Sequence, residues 1–377
     1  MDSSKYKLLF IDPKFPLPSA MRIPIILLFT LICATSQAQI TSLQLTIPKS
    51  YTILKTSNTF SIDGKAFEPS WNEALWTDYF IDIEGNKNPK PYYNTRVKML
   101  WDDEFIYFYA EMEEEHVWGD ITERDAVIFH NNDFEVFVKP NQYQPYYGEF
   151  EVNVLGTLWE LFLARPYRRN GPVLNHWDVN GTQIGIDIKG TINNPTDIDT
   201  SWSVELAIPI QALKEIDRGS EVKEGSMWRI NFSRVQWQHQ VNDGVYSRKT
   251  DEEGNRLHEN NWVWTEQSAI AMHRPEHWGY VFFTEQEEMS QANNYAPSLA
   301  IEYQLVFYLY RKQMDWRNQN KVFTSNISDL GGPDFNTNGF QLSAETSLTK
   351  LGFEITVSNS KGQTITVNQD GYVIADQ

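Results

Sequence analysis

Asp133, Glu135, Glu149, Glu151 and Asn153 fall in two short runs, Asp133-Phe-Glu-Val-Phe-Val138 and Gly148-Glu-Phe-Glu-Val-Asn-Val154, where polar and apolar residues alternate. Successive side chains of an extended strand point to opposite faces. Phe134, Val136 and Val138 therefore oppose Asp133, Glu135 and Phe137, and Phe150, Val152 and Val154 oppose Glu149, Glu151 and Asn153. One face is core and the other polar. Arg229 and Asn231, from Trp228-Arg-Ile-Asn-Phe-Ser233, complete the polar face. Carboxylates and amides each accept or donate two hydrogen bonds, which is what the vicinal hydroxyls of a sugar require. The bland alternative is a solvated sheet face laced with ion pairs.

The same acids admit a second chemistry. A retaining glycosidase places two carboxyl groups about 5–5.5 Å apart and an inverting one about 6.5–9.5 Å apart. Two residues apart on one strand, Asp133 and Glu135 project to the same side about 6.5–7 Å apart at the backbone. Glu135 with Asp133 or Glu151 is thus the candidate hydrolytic pair, although any strand with alternating acids gives this spacing. The histidines, His116, His130, His176, His239, His258, His273 and His277, show no metal-ligand spacing. Cys33 is the only cysteine and lies in a segment expected to be removed, which leaves no disulfide, no thiolate metal site and no cysteine nucleophile.

Short runs rich in aromatic and β-branched residues must position these groups. Phe105–Met112, Asp133–Val138, Gly148–Val154, Leu158–Leu163, Trp202–Ile208, Met227–Val235 and Gly279–Phe283 read as strands, with a further edge strand at Tyr51–Leu54. Turn clusters separate them, such as Lys139-Pro-Asn141, Asn193-Asn-Pro195 and Asn242-Asp-Gly244. This spacing predicts a mainly β fold, an antiparallel two-sheet β-sandwich of jelly-roll or immunoglobulin type.

The chain has 377 residues, room for one sandwich and an appendage. Its 32 Lys and Arg against 50 Asp and Glu give a formal charge of −18, which argues against nucleic acid or anionic lipid as a partner. The 13 tryptophans serve core packing or a surface for the flat apolar faces of sugars.

The blocks Ser61-Ile-Asp-Gly-Lys-Ala-Phe-Glu-Pro-Ser-Trp71, Val97-Lys-Met-Leu-Trp101 to Ala110 and Asp133–Val138 resemble the opening of the family-nine carbohydrate-binding modules. The likeness continues through Trp202–Pro209, Trp228–Arg234 and Asn260–Trp264 to Met272–Val281. The resemblance implies a sugar-holding β-sandwich that does not itself cut, of the kind appended to or associated with secreted glycoside hydrolases. It implies that Glu135 binds sugar hydroxyls. Where the family's best-known members clamp the terminal sugar between two tryptophans, an ungapped reading places His130 and Met272. Trp159, Trp177, Trp237, Trp262 and Trp264 are the nearby substitutes, of which Trp237 and Trp264 are assigned to the site, while Trp71 and Trp101 are assigned to the core. Structural calcium is also implied as a candidate cofactor, with Trp101-Asp-Asp-Glu104 and Asp197-Ile-Asp199 as oxygen-rich loops. Haem, held in some relatives of this sandwich, would rest here on Met272 and His273.

Met21–Ala38 has one positive charge, an apolar centre and a Ser36-Gln-Ala38 end, the layout of a secretory signal peptide cleaved after Ala38, with Met21 as the expected start. The organisation expected is a leader at 1–38, an edge segment at 39–60, the sandwich at 61–284, a linker at 285–295 and an α+β extension at 296–377. In that extension Leu299–Trp316 has an apolar stripe (Leu305, Leu309, the Lys312 stem, Trp316) opposed by Glu302 and Gln313. Three runs, Phe340–Ala344, Phe353–Val357 and Thr364–Val367, then read as a small antiparallel sheet that caps the sandwich or stands apart. The expected protein is secreted or periplasmic, without stable membrane insertion. Its expected partners are oligo- or polysaccharide and polysaccharide-degrading enzymes.

Overall fold

Alternating β-branched and aromatic runs form strands close to the expected boundaries. The computed structural model describes residue 43 and residues 45–169, 171–285, 295–332, 334–337 and 340–376. The leader, the signal segment Met21–Ala38 with Cys33, and residues 286–294 of the expected linker lie outside the described residues. The first strands are β1 (Ser50–Lys55), β2 (Ile81–Asp82), β3 (Thr95–Trp101), β4 (Phe105–Glu113) and β5 (Asp133–Lys139). Next come β6 (Tyr147–Asn153), β7 (Leu158–Leu163), β8 (Val173–Leu174), β9 (Gln183–Lys189) and β10 (Ser201–Pro209). β11 (Met227–Gln236), β12 (His239–Asn242), β13 (Val245–Arg248), β14 (Asn260–Val263) and β15 (Gly279–Thr284) follow.

Hydrogen bonds link β8-β7-β6-β5-β11-β15-β1-β3-β4-β10-β9 in one curled sheet, with β14 paired to β11 and β2. The curl lays one half over the other. Phe134, Val136, Phe150 and Val152 share a single core cluster with Val97, Met99, Phe108, Ala110, Val204 and Leu206. Two facing β layers around one apolar core make the expected sandwich. The join between them departs from expectation: β1 runs parallel to both β15 and β3. The strand expected at an edge is therefore interior: Tyr51, Ile53 and Leu54 are buried, and β1 pairs with β15 over Ser50–Leu54 and with β3 at Leu54 and Lys55.

Two of the blocks that carry the resemblance, Ser61–Trp71 and Trp202–Pro209, meet at one carboxylate. Glu205, fully buried on β10, accepts from Trp71 Nε1 (2.9 Å), Asp63 N (3.0 Å) and Gly64 N (3.2 Å). Gly64, at φ +85°, lies so close to β9 that a Cβ there would come 2.4 Å from Asp187 N, so this turn admits only glycine. The Asn242-Asp-Gly244 turn closes the β12–β13 hairpin with Asp243 and Gly244 at φ 51° and 78°, both in the left-handed region that a two-residue hairpin loop demands.

The C-terminal region is an α+β extension. The helix Ala300–Asn320 packs against a five-stranded antiparallel sheet whose strands are Asp334–Thr337, Phe340–Leu348, Phe353–Asn359, Thr364–Asn368 and Val373–Asp376. Leu305, Leu309, Tyr310, Phe353, Ile355 and Val367 share its core. Two positions expected on the solvated side of the helix are buried, because local groups satisfy them. Glu302 accepts from Asn359 Nδ2 (2.7 Å), and Gln313 brackets Thr324, donating to its carbonyl (2.7 Å) and accepting from its N–H (3.1 Å). The extension packs on the sandwich: Tyr303 Oη donates to Gln142 O (2.8 Å), Arg165 pairs with Asp370 (2.7 Å), and the described residues from 43 onward belong to one compact unit. No described helix is long and apolar enough to cross a membrane.

Candidate functional site

The polar face forms as the alternation predicts. On β5 and β6, Glu135 stands opposite Glu151 and Asp133 opposite Asn153, while on the other side of β5, Ser233 of β11 faces Glu135. This face is not solvated. Asp133, Glu135, Glu149, Glu151 and Asn153 are all buried, because a second layer roofs them. The roof rests on Ile83, Val263, Met272 and Trp278, which cluster with Phe137, Tyr147, Leu161 and Leu163 of the sheet. Between roof and floor lies a cavity of about 610 Å³. Its floor carries Glu135, Glu149 and Glu151; Phe129, Trp159 and Tyr167 supply aromatic walls; Met272, His273 and Asn261 also line it.

Hairpin register brings Trp159 to the site, since it pairs directly with Glu151 across β6 and β7. Phe129 is fixed from two sides: its N–H donates to Glu151 Oε2 (3.1 Å), and its carbonyl accepts from Trp237 Nε1 (2.7 Å). The roof is tied to β11, where Asn231 exchanges two hydrogen bonds with the Thr265 backbone, both 3.0 Å, and Arg229 Nε donates to Pro275 O (3.3 Å). The Arg229 guanidinium also donates to Glu276 O. From the C-terminal helix, Gln304 donates to Glu276 O and Arg311 pairs with the Glu276 carboxylate. Residues 300–320 thus buttress the roof.

The expected site residues divide accordingly. Glu135, Glu151 and Met272 line the cavity, and Asp133 stands beside Glu135, with one oxygen each of Asp133, Glu135 and Glu151 within 4.8 Å of one another. Trp237 holds Phe129 and does not line the cavity. Asn231 anchors the roof. Asn153 is spent on the β6–β7 turn, accepting from Leu155 N and Thr157 N (both 3.0 Å). Trp264 lies in the central core against Phe232 (centroids 5.9 Å apart) and Tyr51 (6.5 Å), because the chain leaving β14 turns its ring inward. His130 is exposed and off the lining, edge-on to Phe129. Of the tryptophans, Trp159 alone lines the cavity, and neither Tyr167 nor His273 carries a periodicity that would have marked it.

Burial dominates the electrostatics. It pushes the Glu135 carboxyl up to about 7, and raises Asp133, Glu149 and Glu151 well above the usual carboxylate range, with their neighbours' charges adding to the effect. No cation contributes to any of the four shifts. A carboxyl with a raised pKa takes up a proton more readily, and a carboxyl can donate when protonated and accept when ionised, which suits hydroxyl partners. His273 is pushed down to about 3 by burial and by Arg168, and its Nδ1 lies 2.7 Å from Tyr147 Oη.

The other chemistries fit less well. A glycosidase's carboxyl groups flank the scissile bond, whereas these acids rise side by side from one floor. Haem ligated on both faces needs ligands on opposite sides, which the consecutive residues Met272 and His273 cannot supply. In the calcium loops Asp102 and Asp199 are committed to local donors, whereas Asp197 accepts from Thr191 Oγ1 on one oxygen only. Asp102 accepts from Glu104 N and Phe105 N (both 2.7 Å) and Tyr107 Oη (2.7 Å), and Asp199 accepts from Val117 N and Thr191 N (both 2.7 Å).

Residues 62–160 match the model of the family described as carbohydrate family 9 binding domain-like. That stretch holds β2 through β7 up to Glu160, and with them Asp133, the floor acids Glu135, Glu149 and Glu151, and Trp159. A family-9 carbohydrate-binding module from Caldicellulosiruptor kristjanssonii, solved with cellotriose, is similar at 15% identity and TM-score 0.41, over 66% of this chain and 98% of that one. The structure of a family-9 module from that organism with glucose gives 14%, 0.40, 65% and 100%. A Bacteroides uniformis protein provisionally described as carbohydrate-binding gives 18%, 0.45, 62% and 99%. No curated protein matches the chain.

Proposed function

We propose that this chain, whose residues 62–160 are carbohydrate family 9 binding domain-like, holds a sugar in the roofed cavity without cutting it, in support of extracellular polysaccharide breakdown. One observation carries the reading: within the matched stretch, buried acids and the Trp159 ring face a common space of about 610 Å³, a size typical of small-molecule sites. Acids on the floor meet hydroxyls, and rings on the walls meet the apolar faces of the sugar ring. The roof turns the polar sheet face into a partly open pocket, which favours a short glycan or a chain end.

A glycan array followed by calorimetry on the best binder tests this. Glu135→Gln keeps the shape and removes the charge, and is expected to weaken binding by about 1.5–3 kcal/mol, roughly ten- to a hundredfold. A folded variant with unchanged affinity overturns the role of Glu135. New reducing ends released by the wild type, and lost in Asp133→Asn, overturn the binding-only reading in favour of the hydrolase.

Support for breakdown outside the cell requires export, and Met21–Ala38 has the charge, apolar run and small-residue exit for it. Expressed with its own leader in a Gram-negative host, the chain is expected in the periplasm or medium starting at Gln39, as read by mass spectrometry. A cytoplasmic chain that retains Met1 would sink the proposal of export.

A further inference from the structure

Glu135, Glu149 and Glu151 on the cavity floor, and Asp133 beside them, form no ion pair among the described residues. We infer that Asp133, Glu135 and Glu151 form a site for a hard divalent cation of the calcium class, at the base of the cavity rather than in the acidic loops. One oxygen from each of the three lies within 4.8 Å of the others, the span across a cation held at about 2.3–2.6 Å by oxygen ligands. An acidic cluster alone shows little. Here, though, Glu149, outside that trio and only 4% exposed, lines the same cavity with its Oε2 unpartnered. Asp133, fully buried, has an unpartnered Oδ2 as well. Buried carboxylate oxygens without a donor are costly, and a cation supplies the missing partner. An all-oxygen donor set selects calcium, magnesium or manganese over zinc or copper. No Lys, Arg or His forms an ion pair with these four acids among the described residues, and Arg168, which lines the cavity, donates instead to Ile270 O (2.8 Å). The site stands whether or not the cavity takes a sugar.

Terbium reports on it directly, because a lanthanide beside an excited indole emits and Trp159 pairs with Glu151 in the β6–β7 ladder. The full chain, stripped with EDTA and titrated with Tb³⁺ under tryptophan excitation, is expected to show saturable emission at one site. Calcium should compete at about 1 mM or below, the weak end for extracellular modules. Asp133→Asn and Glu151→Gln, each confirmed folded by circular dichroism, should weaken calcium competition at least tenfold. Glu149→Gln provides a second variant should either fail to fold. Asp102→Asn and Asp197→Asn should leave the signal unchanged, and Trp159→Phe should lose emission while retaining calcium binding by calorimetry. Absence of saturable emission, or emission unchanged in folded Asp133→Asn and Glu151→Gln, overturns the site. Glycan binding measured in EDTA separates the two readings: sugar binding without any cation binding defeats this inference alone, and cation binding without sugar binding defeats the proposed function alone.

Discussion

Replacing Glu205 with leucine is expected to destabilise the fold by more than about 3 kcal/mol, read as a lower midpoint with unchanged slope in denaturant unfolding. The carboxylate is the shared acceptor for Trp71 Nε1, Asp63 N and Gly64 N, and all of it is buried. Leucine fills the volume but leaves three donors in an apolar setting, each costing about 1–3 kcal/mol. Geometry forbids an easy escape. The 61–64 turn sits against β9, where Gly185 would place a Cβ 2.3 Å from Gly64 N, so the turn cannot retreat toward the sheet. Glu205→Gln keeps one acceptor oxygen and should cost less than half as much. A leucine variant within 1 kcal/mol of wild type would show that the donors find water instead.

That junction also explains why the motif was visible in the sequence. The blocks Ser61–Trp71 and Trp202–Pro209 lie more than a hundred positions apart, yet each supplies a part of one buried hydrogen-bonded node, and a node fixes residue types at fixed places. The floor of the site was legible for a similar reason. The period-two alternation in β5 and β6 assigns each acid a face without knowledge of the rest of the chain. Alternation cannot say what covers that face. The roof comes from loop residues around Met272 and Trp278, more than a hundred positions downstream, whose approach is set by Arg229, Asn231 and the C-terminal helix. The same limit explains the tryptophans. Trp159 becomes a wall because the hairpin register sets it against Glu151, whereas Trp264 goes to the core, and composition treats them alike. β1 reads as an edge strand because a sequence records a strand's burial more clearly than the number of its neighbours, and parallel pairing to β3 and β15 depends on long-range connections.

A second large effect is expected at Glu114, where alanine should cost about 3–5 kcal/mol and loosen the site as well. Arg234 is fully buried, and its Nη2 lies 3.1 Å from Glu114 Oε2, which also accepts from Gln236 Nε2 (2.9 Å) and Asn132 Nδ2 (3.1 Å). Removing the acid leaves the guanidinium with neutral partners only, Thr95 Oγ1, Gln236 Oε1 and the Glu113 carbonyl, and so with an uncompensated charge in the interior. Replacing the pair together, Glu114→Leu with Arg234→Met, removes the orphaned charge, and the double variant should recover most of the loss. Failure to recover would place the cost in packing or in the amides rather than in the ion pair. Consequences for the site follow through Asn132, whose Oδ1 accepts from Trp237 N at 2.8 Å and which immediately precedes Asp133. Trp237 in turn holds Phe129 against the cavity. Glycan affinity in Glu114→Ala, measured where the variant remains folded, should therefore fall although Glu114 is not among the cavity-lining residues. Unchanged affinity would separate the network's structural role from the positioning of the floor.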